Sequence, residues 1–177
     1  MRGAVEALAG LGFEVREVEI EELDLADEAL GAIVLYEAWR GHRTRYEAEA
    51  ELYGDGTRAL LELGAKISGE DYRSALADRD RVAAGLGRAL DEFDVLAGPT
   101  VAYVAPPEDP PFGTPDGDVE AGFTGPYNLA GLPAVSVPCG SAEDGLPAGL
   151  QLAAARGRDA FLLSVAAACE EALHAGA

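Results

Sequence analysis

Gly131 and Pro133 stand just before Ala134-Val135-Ser136-Val137-Pro138, an apolar run too short for a helix. A second such run, Gly149-Leu150-Gln151-Leu152-Ala153-Ala154, follows after a turn-rich stretch, Cys139 to Ala148, that contains Asp144-Gly145. Short apolar runs bounded by glycine and proline read as buried strands, and the turn between them returns the chain on itself. This hairpin-like unit therefore constrains the rest: something must cover its faces. Asn128 lies in a short turn of helix before the first strand, where its side chain can bond backbone groups of the turn.

The remaining sequence offers that cover. Gly3 to Leu11 places Val5, Leu8 and Ala9 on one helical face, and Phe161, Leu162, Val165, Cys169 and Leu173 give a closing amphipathic helix. Phe13 to Ile20 alternates apolar and charged residues and reads as a half-buried strand. Asp24 is the expected cap of a helix carrying Leu25, Leu30, Ile33 and Val34, with Trp39 near its end and Gly41 interrupting it; a polar, weakly anchored helix is expected to follow as far as Glu51. Arg58 to Leu63 forms a short helix that Gly64 is expected to end.

Ser68 and Asp71 stand at capping-box spacing ahead of a helix with Tyr72, Leu76, Ala83, Leu86, Leu90 and Phe93 as its core stripe. Val95 to Gly98 is a third short strand leading to Pro99-Thr100. Residues 105–126 are rich in proline, glycine and acids, and read as a long surface loop. Interleaved helices and short strands place the chain in the α/β class.

Charge and cysteine content act by exclusion. The 177 residues carry 32 acids against 13 bases, a net charge of −19, and of those bases only Lys66 is lysine. Such a surface has no electrostatic footprint for nucleic acid or anionic lipid. No apolar run spans a bilayer, so a cytoplasmic protein is expected. Cys139 and Cys169 are too isolated for a zinc site or disulfide framework, and neither a metal nor a cofactor is expected. The five serines and two histidines show no nucleophile-and-base arrangement. Cys139, at a strand end before Gly140, is read as a small residue filling that position rather than as a nucleophile.

The run Asn128-Leu129-Ala130-Gly131-Leu132-Pro133-Ala134-Val135-Ser136-Val137-Pro138-Cys139-Gly140, followed by Gly145-Leu146-Pro147-Ala148-Gly149-Leu150-Gln151, closely resembles the carboxy-terminal part of the amidase signature family. Asp94 to Thr100 with Ala105-Pro106, Ile67 to Tyr72, Ala7 to Val18 and Asp159 to Glu170 resemble further family elements in the same order. The resemblance implies one portion of an α/β/α fold, a mixed sheet flanked by helices, with residues 1–177 as a single incomplete domain keeping roughly four strands.

It also implies hydrolysis or transfer at a carboxamide C–N bond. The family's catalytic groups are a nucleophilic serine, a bridging serine and a lysine in its amino-terminal half, and this chain has no counterpart to them. Lys66 aligns with a helix entry instead. No catalytic residue is therefore assigned, and Thr100, Tyr127 and Asn128 are the candidates for substrate contact. Ser136 to Gly140 is similar to a run in glutamine-dependent transamidation proteins of the family. The glutamine-recognising arginine and aspartate of those proteins fall near Ala59 or Leu60 and at Ala121, which favours a general amidase.

Two expectations follow. The chain supplies pocket walls to an amidohydrolase of small amides, inactive alone and partnered by the amino-terminal half or by itself. Alternatively, it is a non-catalytic binding or assembly protein on a truncated amidase scaffold.

Overall fold

The computed structural model describes residues 2–10, 12–108, 121–142 and 145–175. Its centre is a sheet of β1 (Leu96–Pro99), β2 (Ala134–Ser141) and β3 (Pro147–Ala153) in the order β1-β3-β2. Both pairings are antiparallel: Leu96 faces Ala153 on one side of β3, and Val137 faces Leu150 on the other. Pro138 cannot donate to a ladder, and it lies in a strand at the sheet's edge. The register shifts between Pro138 and Ser141, where Gly140 takes a φ of 101° that disfavours a side chain.

Alternation along the strands decides what covers each face. Val137, Leu150 and Leu152 share a core with Leu162, Ala166 and Cys169 of the closing helix (Asp159–Ala175) and with Ala4 and Leu8 of α1 (Arg2–Gly10). Leu96 packs instead with Val82, Leu86 and Ala89 of a long helix (Gly69–Glu92) and with Ala130 of a short one (Gly125–Ala130). With α2 (Ala26–Glu49) and α3 (Asp55–Gly64) between, these three helices are α6, α4 and α5 in turn. A third apolar cluster, Ala29, Ile33 and Ala75, joins α2 to α4.

Several local expectations hold for the reasons given. Ser68 Oγ accepts from the Asp71 N–H at 3.1 Å, and Asp71 Oδ2 accepts from the Ser68 N–H at 3.1 Å, closing the box that starts α4. The α/β class stands. The sheet of this portion has three strands rather than four among the described residues, because residues 13–20 pair with no neighbour. Alternation can code for a half-buried strand, but a ladder needs a partner. Phe13, Val15 and Val18 consequently stay 40–43% exposed, and Arg16 ties the segment to α4 through Glu92 at 2.9 Å and the Phe93 ring.

Other details differ. Asp24 lies inside a 3-10 turn (Glu21–Leu25), so α2 begins after Leu25 with no side-chain cap. Gly41 does not interrupt α2; a solvent-facing glycine costs about 1 kcal/mol, too little to break a packed helix. Gly64 closes α3 by proximity rather than by a left-handed turn: a Cβ there would lie 2.1 Å from the Leu35 carbonyl oxygen of α2. On α4 the buried stripe runs through Ala75, Val82, Gly85, Leu86 and Ala89, since α2, α5 and the 3-10 turn cover a wider face than one helix would. Of the loop expected over 105–126, residues 105–108 carry no helix or strand, and 109–120 lie outside the described residues. Its last two residues, Gly125 and Pro126, are buried in the first turn of α5.

Candidate functional site

Thr100, just past the end of β1, meets Ser136 of β2 and Gly149 and Gln151 of β3 on one face of the sheet. The register pairs Ser136 with Gln151, and the Thr100 N–H donates to the Gly149 carbonyl at 3.1 Å. Thr100 Oγ1 and Ser136 Oγ then lie 2.6 Å apart, one donating to the other. Gly149 makes this possible, because a Cβ on it would stand 2.6 Å from Ser136 Oγ and 2.7 Å from Thr100 Oγ1. Both hydroxyls keep acceptor lone pairs beyond their mutual bond.

Gln151 is 5% exposed, the buried polar side chain at the middle of the central strand. Its Nε2 donates to the Phe123 carbonyl at 2.7 Å, which pins the chain just before α5. A buried amide left without a partner is costly, so this bond holds the α5 approach in one place. At its other end α5 stops at Gly131, whose φ of 62° is left-handed, with the Leu132 N–H returning to the Tyr127 carbonyl at 3.0 Å. Arg156 Nη2 donates to the Ala130 carbonyl at 2.7 Å, placing a cation at the helix's C-terminal end.

The three residues singled out by sequence have different fates. Thr100 enters the hydroxyl pair. Tyr127 packs into the Val82–Leu86–Leu96 cluster, and burial pushes its phenol above the ordinary value, so it stays neutral at physiological pH. Asn128 is exposed, and its Nδ2 donates to the Thr124 carbonyl at 3.0 Å, the backbone bond expected of it. Thr100 thus finds Ser136, not either of the α5 residues. Ser136 and Gln151 join the site without having been singled out. The available signal was their position on the same alternating face as Gly149.

What the cluster offers is hydrogen bonding from two hydroxyls and one amide. Among the described residues, no imidazole, amine or carboxylate belongs to it. The half-buried Cys139 thiol lies 3.4 Å from the Ala148 carbonyl across the hairpin, and His42 of α2 pairs at 3.1 Å with the hydroxyl of Tyr53 in the turn before α3. Ser68 serves the α4 cap and Ser164 bonds the Ala160 carbonyl, while Lys66 is exposed in the turn after α3. Among the described residues no group of three His, Cys, Asp or Glu side chains could hold a metal, and no helix is long and apolar enough to cross a membrane.

The family profile described as Amidase matches residues 1–163. An amidase of Pseudomonas putida is 35% identical over 153 residues, covering 82% of this chain and 33% of the relative. A component of the glutamyl-tRNA(Gln) amidotransferase of Lysinibacillus sphaericus is 30% identical over 197 residues, covering 96% of this chain and 40% of the relative. Among solved structures, the crystal structure of an amidase superposes with a TM-score of 0.80 at 31% identity, covering 93% of this chain and 40% of that one. The chain therefore spans about a third to two fifths of the length of the relatives it matches.

Proposed function

The chain belongs to the amidase signature family, and from that premise we propose that it forms the carboxy-terminal portion of a hydrolase acting on carboxamide C–N bonds. The observation that carries the reading is the fit of nearly the whole chain onto two fifths of an amidase. In this reading the sheet frame and α5 wall a substrate pocket. The Thr100–Ser136 hydroxyls supply polar contacts for an amide, and Tyr127 and Asn128 shape the adjoining turn. A small alkyl or aryl amide is the favoured substrate, and the cytoplasm the favoured location.

The cleavage itself needs an activated nucleophile and an oxyanion site. In the family these come from two serines and a lysine, to which none of this chain's serines or its single lysine corresponds. The chain alone is therefore inactive, and its partner is the rest of the family fold or a second copy of itself. A panel of alkyl and aryl amides incubated with the purified chain tests this directly. The expected result is no hydrolysis above background; turnover abolished by Cys139→Ala would overturn the reading and make Cys139 a nucleophile.

A second reading, a non-catalytic binding or assembly protein on the same scaffold, is favoured by one feature. Segment 13–20, which pairs with no strand among the described residues, leaves Phe13, Val15 and Val18 40–43% exposed. Coding sequence upstream of Met1 separates the two: an in-frame Gly/Ser-rich segment with the serine pair supports the enzyme, and an independent promoter supports the assembly protein.

A further inference from the structure

Tyr36, Trp39, Arg40 and Arg43 fall at positions i, i+3, i+4 and i+7 of α2, so they share one helical face. That face meets the turn between α3 and α4, where Ala65, Ile67 and Gly69 complete a concavity of about 470 Å³. The concavity is open to solvent, so a ligand there would be held along one side by the helix face.

Its aromatic walls are held in place. Tyr36 stacks on Tyr72 with centroids 4.3 Å apart and planes 19° from parallel, and the Tyr72 hydroxyl is fixed by donating to Glu37 at 2.6 Å. Trp39 meets Tyr46 edge-on at 5.8 Å, and Tyr46 donates to Glu62 of α3 at 2.8 Å. These contacts leave the Tyr36 and Trp39 rings few rotamers to freeze on binding, in a lining that exposes more polar than apolar surface.

The charge of the concavity runs against the rest of the molecule. Acids outnumber bases 32 to 13, yet this lining contains two arginines and no carboxylate. Arg43 is already paired with Glu47 at 2.8 Å. Arg40 makes only a long 3.4 Å bond to the Tyr36 hydroxyl and a cation–π approach to its ring, with no carboxylate within 4 Å among the described residues. The concavity beside segment 18–22 is the contrast: Glu19, Glu21, Glu22 and Glu92 line it, and its Arg88 is bound to Glu22.

A guanidinium free of acidic partners is a fork for a carboxylate, and the rings beside it suit a planar apolar body. We propose that this concavity on α2 is a binding site for small aromatic carboxylates, with Arg40 taking the carboxylate and Tyr36 and Trp39 packing on the ring. The site shares no residue with the Thr100–Ser136 cluster, so it stands or falls independently of the amidase reading.

Trp39 is the single tryptophan of the chain, and its fluorescence reports the site without a label. Titration of the full chain with phenylacetate should give a saturable change. Neutral phenylacetamide should bind about tenfold more weakly, the loss expected when a charge-assisted hydrogen bond is removed. Acetate, which has no ring, should also be weaker. Arg40→Gln should weaken phenylacetate about tenfold with unchanged far-ultraviolet circular dichroism, and Arg43→Gln less, because Glu47 already occupies that guanidinium. Arg73→Gln, on a different helix, should bind as the parent does. No saturable response, equal binding of phenylacetamide, inorganic phosphate competing as tightly as phenylacetate, or Arg40→Gln binding like the parent would each overturn the proposal.

Discussion

Gly64→Ala should destabilise the chain, although alanine is the better helix former. Gly64 is the last residue of α3, and its missing side chain lets α3 rest on the backbone of α2. An added Cβ would lie 2.1 Å from the Leu35 carbonyl oxygen, 2.8 Å from its carbon and 3.1 Å from Trp39 Cβ. The obstacle is backbone in the middle of a 24-residue helix, so relief requires α3 to retreat by more than an ångström. Overpacking of this kind costs about 1–3 kcal/mol, and an immovable carbonyl puts it near 3. Against that, alanine contributes up to about 1 kcal/mol of helix propensity. The net loss is about 2 kcal/mol, or roughly 4–8 °C in Tm for a chain of this length.

The control is Gly87→Ala in α4, where nothing lies within 4 Å of the new methyl and φ is ordinary. The same substitution there should stabilise by about 0.5–1 kcal/mol. Thermal and urea melts followed by circular dichroism, at matched protein concentration, read both signs. A Gly64→Ala chain as stable as the parent would refute the close approach of α3 to α2.

Ser68→Ala should cost about 1 kcal/mol through loss of the α4 cap. The Ser68 hydroxyl and backbone N–H hold the Asp71 carboxyl below its ordinary value, so that contribution is full above the usual carboxylate range and lost as pH falls through the lowered value; urea midpoints should show the wild-type advantage shrinking in acid. Thr100→Ala and Ser136→Ala should be coupled by about 1 kcal/mol in a double-mutant cycle, and additive losses would dissolve the hydroxyl pair. Light scattering at low micromolar concentration should give a mass above 18.3 kDa, because Phe13, Val15 and Val18 are exposed and the outer strand edges have no partner among the described residues; a compact, cooperatively melting monomer would count against this.

The β2–β3 hairpin and α6 were legible because their signals are local: glycine and proline punctuate the strands, and a clear apolar period follows. The capping box of α4 was legible for the same reason. Segment 13–20 shows the limit, since its alternation states a preference that only a neighbouring strand can satisfy. Gly64 shows another: glycine at a helix end suggests a turn, and nothing in the neighbouring residues announces the Leu35 carbonyl arriving from α2. The Thr100–Ser136–Gly149 cluster was half visible. Thr100 stands out after β1, but its meeting with Ser136 depends on β3 lying between β1 and β2. Tyr127 was legible as an aromatic in a short helix, and its burial was decided by the cluster around Leu86.

The order β1-β3-β2 also sets a timetable for synthesis. β1 is made first and stands beside β3, which is made last, with Leu96 meeting Ala153 about 57 positions later. At ribosomal speeds of about 5–20 residues per second, β1 leaves the exit tunnel roughly 3–11 s before its partner does. During that interval the helices upstream can associate, but the apolar strand waits unpaired. Asp91, Glu92 and Asp94 immediately precede it, placing three negative charges where a neighbouring nascent chain would dock. Until Arg158 is made, the Asp94 carboxylate beside the waiting strand lacks the cation that it faces in the folded chain.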